Sequence, residues 1–116
     1  MEKTSLSELA TELMLLARAA SNKRSARTIF GGRGRALRQT VIAMCGGERM
    51  AEHKSPGEAT LQVLSGRIEL RGQSQSWELA ASDIVEIPRE VHSVEVLEDS
   101  VFVLSVVKLE ALQPPA

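Results

Sequence analysis

Aromatic side chains are scarce in this chain: one Trp (Trp77), two Phe (Phe30 and Phe102) and no Tyr among 116 residues. A groove that follows single-stranded nucleic acid relies on stacked aromatics, so this scarcity argues against one. Excess charge of either sign is also missing. Fourteen Lys and Arg face fifteen Asp and Glu, for a formal net charge of −1. That near balance provides no global attraction to nucleic acid or to an anionic membrane. Cysteine is nearly absent. Cys45 has no second Cys to bridge to, and in the apolar run Val41–Cys45 it reads as a small buried hydrophobe, not a reactive thiol. No apolar run approaches ~18 residues, and Met1-Glu2-Lys3 leads into an amphipathic stretch. Neither a spanning helix nor a secretory signal is expected, and a cytoplasmic location is the default.

What is present suits one small domain. Residues 4–20 carry Leu9, Leu13, Leu16 and Ala20 at helical spacing, widened by Leu6 and Met14. Ser7 is the expected N-cap, with Thr4 and Ser5 as alternatives. The polar and basic run Asn22-Lys23-Arg24 suits the helix end. Residues 26–35 are rich in Gly and Arg. Gly31-Gly32-Arg33-Gly34 lacks the Lys-Ser/Thr of a phosphate loop, so the stretch reads as a turn or edge strand with solvated arginines. Residues 1–36 thus form a helix and connector, 37–110 a β-rich body, and 111–116 a loose tail.

From residue 37 the periodicity is that of strands. Leu37–Met44, Ala59–Leu64, Arg67–Arg71, Ser76–Leu79, Ile84–Ile87, His92–Val96 and Val101–Val107 are separated by Gly, Pro, Ser or Asp turns. Short strands at such regular spacing indicate a sandwich or barrel. Val101–Val107 is interrupted only by Ser105, so both of its faces should be buried.

Over residues 37–107 the chain resembles the cupin superfamily. The first cupin motif is matched by Gly47, Glu52-His53-Lys54, Pro56-Gly57-Glu58 and Val63-Leu64-Ser65-Gly66. The second is matched by Ser82-Asp83, Ile84-Val85-Glu86, Ile87-Pro88 and His92. The resemblance implies a mainly β fold: a double-stranded β-helix (jelly-roll) barrel with one N-terminal α-helix. It also implies a homodimer, with the doubly apolar strand 101–107 as a fitting interface.

Cupin metal ligands would fall on Glu52, Lys54, Ala59 and His92, of which only His92 matches directly. An ammonium repels a cation and Ala59 has no donor. On this register the site has lost its metal, needs no cofactor, and Glu52, Lys54 and His92 with Gln39 (or its neighbour Arg38) would line a pocket for a small polar or anionic ligand. A register slipped by one residue instead assembles His53, Glu58 and His92, a two-His, one-carboxylate set for Fe, Mn, Ni or Zn. That set suits a dioxygenase or isomerase, and it requires a bulge at Pro56-Gly57 to turn those side chains inward. Three readings follow: a metal-independent binding or regulatory module, a metal-dependent enzyme, or an accessory dimer without ligand.

Overall fold

The computed structural model describes residues 2–54 and 57–108. One helix, α1 (Leu6–Ala19), precedes nine strands. These are β1 (Arg24–Phe30), β2 (Leu37–Met44), β3 (Arg49–His53), β4 (Ala59–Ser65), β5 (Arg67–Arg71), β6 (Ser76–Ala80), β7 (Ile84–Glu86), β8 (His92–Val96) and β9 (Ser100–Val107). They form two antiparallel sheets, one ordered β1-β2-β9-β4-β7 and the other β3-β8-β5-β6. Without β1, the alternation of β2 to β9 between the sheets is that of a jelly roll. β1 adds an edge strand, the second of the two roles its Gly- and Arg-rich neighbourhood suggested. Among the described residues no ladder joins the two sheets, so the barrel is not hydrogen-bonded shut.

Period-two patterning decides which face of each strand is buried. Ala59, Leu61 and Val63 of β4 face inward, as their alternation with Thr60 and Gln62 predicts. They meet Met44, Ile68, Leu70, Leu79, Val94, Val96 and Phe102 in the core between the sheets.

The helix solves the problem posed by β9. Its Leu9, Leu13, Met14 and Ala17 cover Val41, Ala43, Val101 and Val103 on the outer face of the larger sheet. Each fully buried Leu here contributes about 1.5–3 kcal/mol. The second apolar face of β9 is covered at Val101 and Val103 by the chain's own helix. The buried stripe is rotated from the expected one: Ala17 is fully buried, whereas Leu16 is half exposed. Ser5, not Ser7, caps the helix, its hydroxyl accepting from the Glu8 amide at 3.3 Å.

Polar ties fix the helix on the sheet. Ser25 Oγ donates to the Leu13 carbonyl (2.6 Å), and Arg27 forks onto Glu12. Arg18 of α1 pairs with Asp99 at 3.0 Å, and Asp99 also accepts from the Gly46 amide at 2.8 Å. The Gly46 bond and the Arg18 guanidinium hold the Asp99 carboxyl below the usual carboxylate range. A lowered folded-state pKa stabilises the fold above the unfolded value of about 3.9, and that contribution disappears as pH falls through the folded value. Asp99→Asn should therefore be less stable than the parent at pH 7, by no more than about 1 kcal/mol because the pair is exposed. Urea titrations across pH should show that deficit shrinking below about pH 4; a deficit independent of pH would rule out the charge as its origin.

Candidate functional site

His92, the most deeply buried ionisable side chain among the described residues, stands at the start of β8 and is 2% exposed. Its neighbour across the smaller sheet is His53, with ring centroids 4.5 Å apart in an edge-on arrangement. A register shift in β3 brings them together. Arg49 and Met50 pair with Glu95 and Val94, and then His53 pairs with His92, so β3 spends one more residue than β8 over the same span. Met50 and His53 have opposite parity in a regular strand; the bulge places both beside the same interior void. This bulge lies at Ala51-Glu52; the one expected at Pro56-Gly57 falls in part on Pro56, which lies outside the described residues.

Each imidazole is anchored identically. His53 Nδ1–H donates to the Ala51 carbonyl (2.8 Å) and His92 Nδ1–H donates to the Glu90 carbonyl (2.9 Å). A carbonyl accepts only, which places the proton on Nδ1 and leaves Nε2 of the neutral ring as an acceptor. The void beside both rings is about 10 Å³, bounded by Met50, His53, Leu61, Ile87, His92, Val94, Phe102 and Leu104. That is room for about one water molecule and excludes a metabolite.

The other sequence-predicted residues are dispersed. Glu52, in the bulge, is exposed and lines an outer groove of about 540 Å³ with Arg49, Arg71, Gln73 and one edge of His92. Lys54 is exposed and joins neither Glu52 nor His92 in a pocket. The inward Glu52–Lys54–His92 cluster does not form, because the bulge reverses the face of each residue after Met50. Gln39 lies on the helix side of the larger sheet, where its amide donates to Ser105 Oγ at 3.1 Å. Glu58 is exposed and lines a surface groove with Glu86 and Arg89. Of the three residues of the metal set, the two imidazoles meet and the carboxylate lines a different groove. Among the described residues no three His, Cys, Asp or Glu converge on one point.

Sequence reasoning missed the pocket at the end of the sandwich where β2 begins and β9 ends. It measures about 280 Å³ and is lined by Arg38, Thr40, Ile42, Leu104, Val106 and Lys108. All six face the smaller sheet, which stops short of them. Ile42, Leu104 and Val106 are consequently half-buried, whereas Met44 and Phe102 farther along the same faces are fully buried. Leu104 borders both this mouth pocket and the histidine void. Alternation could have identified it: Arg38, Thr40 and Ile42 share parity with the core residue Met44, and Gln39 does not.

No protein-family model matches the chain, and no curated protein matches it. Solved structures do. A conserved protein of unknown function from Streptococcus pyogenes is 24% identical, with a TM-score of 0.74 over all of this chain and 93% of that one. A cupin-like protein from Thermotoga maritima is 20% identical, with a TM-score of 0.69 over 78% of this chain and 72% of its own. An HTH_3 family transcriptional regulator from Vibrio cholerae is 18% identical, with a TM-score of 0.62 over 79% of this chain and 52% of its own. Further cupin proteins share the arrangement. The chain has the cupin fold, as its two degenerate motifs implied.

Proposed function

We propose that this protein is a small-molecule-binding module that needs no resident metal, and that its site is the mouth pocket between β2 and β9. The observation that carries the reading is the contrast in space. The histidine void holds about 10 Å³, whereas the mouth pocket offers about 280 Å³ over a half-buried apolar floor. That volume is at the lower edge of the range typical of ligand sites, about 300–1,000 Å³. The carriage of the same fold by a transcriptional regulator supports a sensing role for such binding.

Amide chemical shifts under a fragment panel test the site. Binding should move residues 38–42 and 104–108, and Val106→Phe, which fills the pocket, should abolish those shifts while leaving the core amides of β4 and β8 in place. Shifts confined to the apolar groove of about 620 Å³ that Leu6, Ala10, Met14 and Leu15 of α1 form with Leu64 and Val101, or to the Glu52–Arg71 groove, would move the site; no shift with any fragment would end the reading. Metal content tests the other half of the proposal. Purified protein should carry Fe, Mn, Ni and Zn at well below one ion per chain. Stoichiometric metal that is lost in His92→Ala would overturn metal independence and favour the enzyme reading.

A further inference from the structure

Arg38 and Lys108 lie on one face of the antiparallel pair β2–β9. Arg38 is opposite Val106, and the Lys108 amide donates to the Ala36 carbonyl at 2.8 Å, so the two cations are diagonal neighbours across the ladder. Diagonal positions in an antiparallel pair are ~7–8 Å apart, within reach of long side chains. Like charges so placed repel each other unless an anion sits between them. Among the described residues neither makes an ion pair, although Arg18, Arg24, Arg27, Arg49, Arg67 and Arg71 all do. The preceding loop adds Arg33, and Arg35, whose guanidinium is stacked 4.8 Å over the Phe30 ring. Arg33, Arg35, Arg38 and Lys108 thus lie near the start of β2 and the end of β9 without an ion pair among the described residues.

The floor beneath these cations has the opposite character. Ile42, Leu104 and Val106 supply hydrocarbon, and the one hydroxyl, on Thr40, lies 3.4 Å from Thr28 Oγ1. A guanidinium beside an ammonium recognises a planar carboxylate through paired, charge-assisted hydrogen bonds. An apolar floor of this size accepts a short hydrocarbon body and discriminates against a sugar or a polyol, whose hydroxyls would lose water without finding partners.

Resting on the mouth pocket as the binding site, we propose that its ligand class is a small amphipathic carboxylate, with the carboxylate between Arg38 and Lys108 and the hydrocarbon on Ile42, Leu104 and Val106. Hexanoate, 1-hexanol and inorganic phosphate separate the two contributions, read by amide shifts of residues 38–42 and 104–108 at pH 7. Hexanoate should bind at least about fivefold more tightly than hexanol and than phosphate, and added NaCl should weaken hexanoate alone. Arg38→Gln and Lys108→Met, both at the pocket's rim, should each lower hexanoate affinity several-fold and leave hexanol unchanged.

If hexanol binds as well as hexanoate, the carboxylate class fails and the binding-module reading stands. If phosphate equals hexanoate, charge alone is recognised and the apolar half of the proposal fails. If none of the three probes moves these amides although other fragments do, the class fails again; if nothing moves them, the site itself fails. Sedimentation under the same conditions covers the remaining occupant. A dimer dispersed by Arg38→Glu would make this face an interface between two copies and overturn the proposal.

Discussion

Gly66→Ala is expected to destabilise the protein by more than about 3 kcal/mol, a large share of the ~5–15 kcal/mol available to a native domain. Gly66 joins β4 to β5 at a φ of +87°, in the left-handed region that L side chains rarely adopt. A Cβ there would lie 2.7 Å from Ser100 Cα, and closer still to Ser100 Oγ and the Asp99 carbonyl. Two of those three atoms are backbone, so no rotamer change relieves the clash. The neighbourhood also has no slack. Ser100 is fully buried; its hydroxyl accepts from the Arg67 amide at 2.9 Å and donates to the Glu98 carbonyl at 2.6 Å. Pushing Ser100 aside therefore breaks the corner that joins β5 to the start of β9. Gly47→Ala is the control. Gly47 has a φ of +90° with nothing near its missing Cβ, so Ala there incurs only backbone strain, about 1 kcal/mol. Urea unfolding of the two variants should differ by at least about 2 kcal/mol. Equal losses would mean that the close approach at Gly66 is relieved by a backbone shift and is not structural.

Phe102→Ala should cost about 3–5 kcal/mol, the range for removing a large buried aromatic side chain. Phe102 is 1% exposed on β9, paired with Ile42 of β2 and Val63 of β4, and it forms one wall of the histidine void. Its ring is what keeps the interior closed. The variant should join the space left by the ring to the existing void, and Nδ1 of His53 and His92 should keep their carbonyl partners because those bonds are local to β3 and to the turn before β8. Thermal denaturation checks the stability loss. Benzene provides a second measure: it should raise the melting temperature of Phe102→Ala by mass action and leave the parent unchanged. A loss under about 2 kcal/mol would show that the two sheets collapse to fill the space, and the filled interior would then not depend on this residue.

The two expectations that depended on strand parity had opposite outcomes, and the difference explains what is legible in a sequence. β4 is regular from Ala59 to Val63, its register against β9 shifting only beyond Val63, so the alternation of Ala59, Leu61 and Val63 with Thr60 and Gln62 predicts its buried face correctly. β3 contains a bulge, so carrying the cupin ligand spacing onto Glu52 and Lys54 placed both inside when both are exposed. The extra residue is visible only in the pairing with β8, where half-buried Met50 and His53, itself exposed on its other side, both border the interior void. Gln39 and Arg38 show the same limit at the other strand. Both lie near the start of β2; parity with Met44 separates their faces, and only the short reach of the smaller sheet shows that the face of Arg38 borders a pocket.

His92 illustrates how the information is divided. Its position four residues after Pro88, at the head of an alternating strand, is enough to predict a buried side chain near the end of a β-sandwich. Composition and periodicity likewise determined the fold class, the helix, most strand boundaries and the absence of charge bias, because each depends on local propensity and on which residues water excludes. The partners of His92 are a tertiary matter. Whether His53 or Glu52 meets it depends on one bulged residue. Whether β9 hides its second face under α1 or a neighbour depends on how the helix docks. Whether the interior is a cavity or a core depends on how Phe102 fills the space between the sheets. Those outcomes are set by packing between segments far apart in the chain, which no window along the sequence contains.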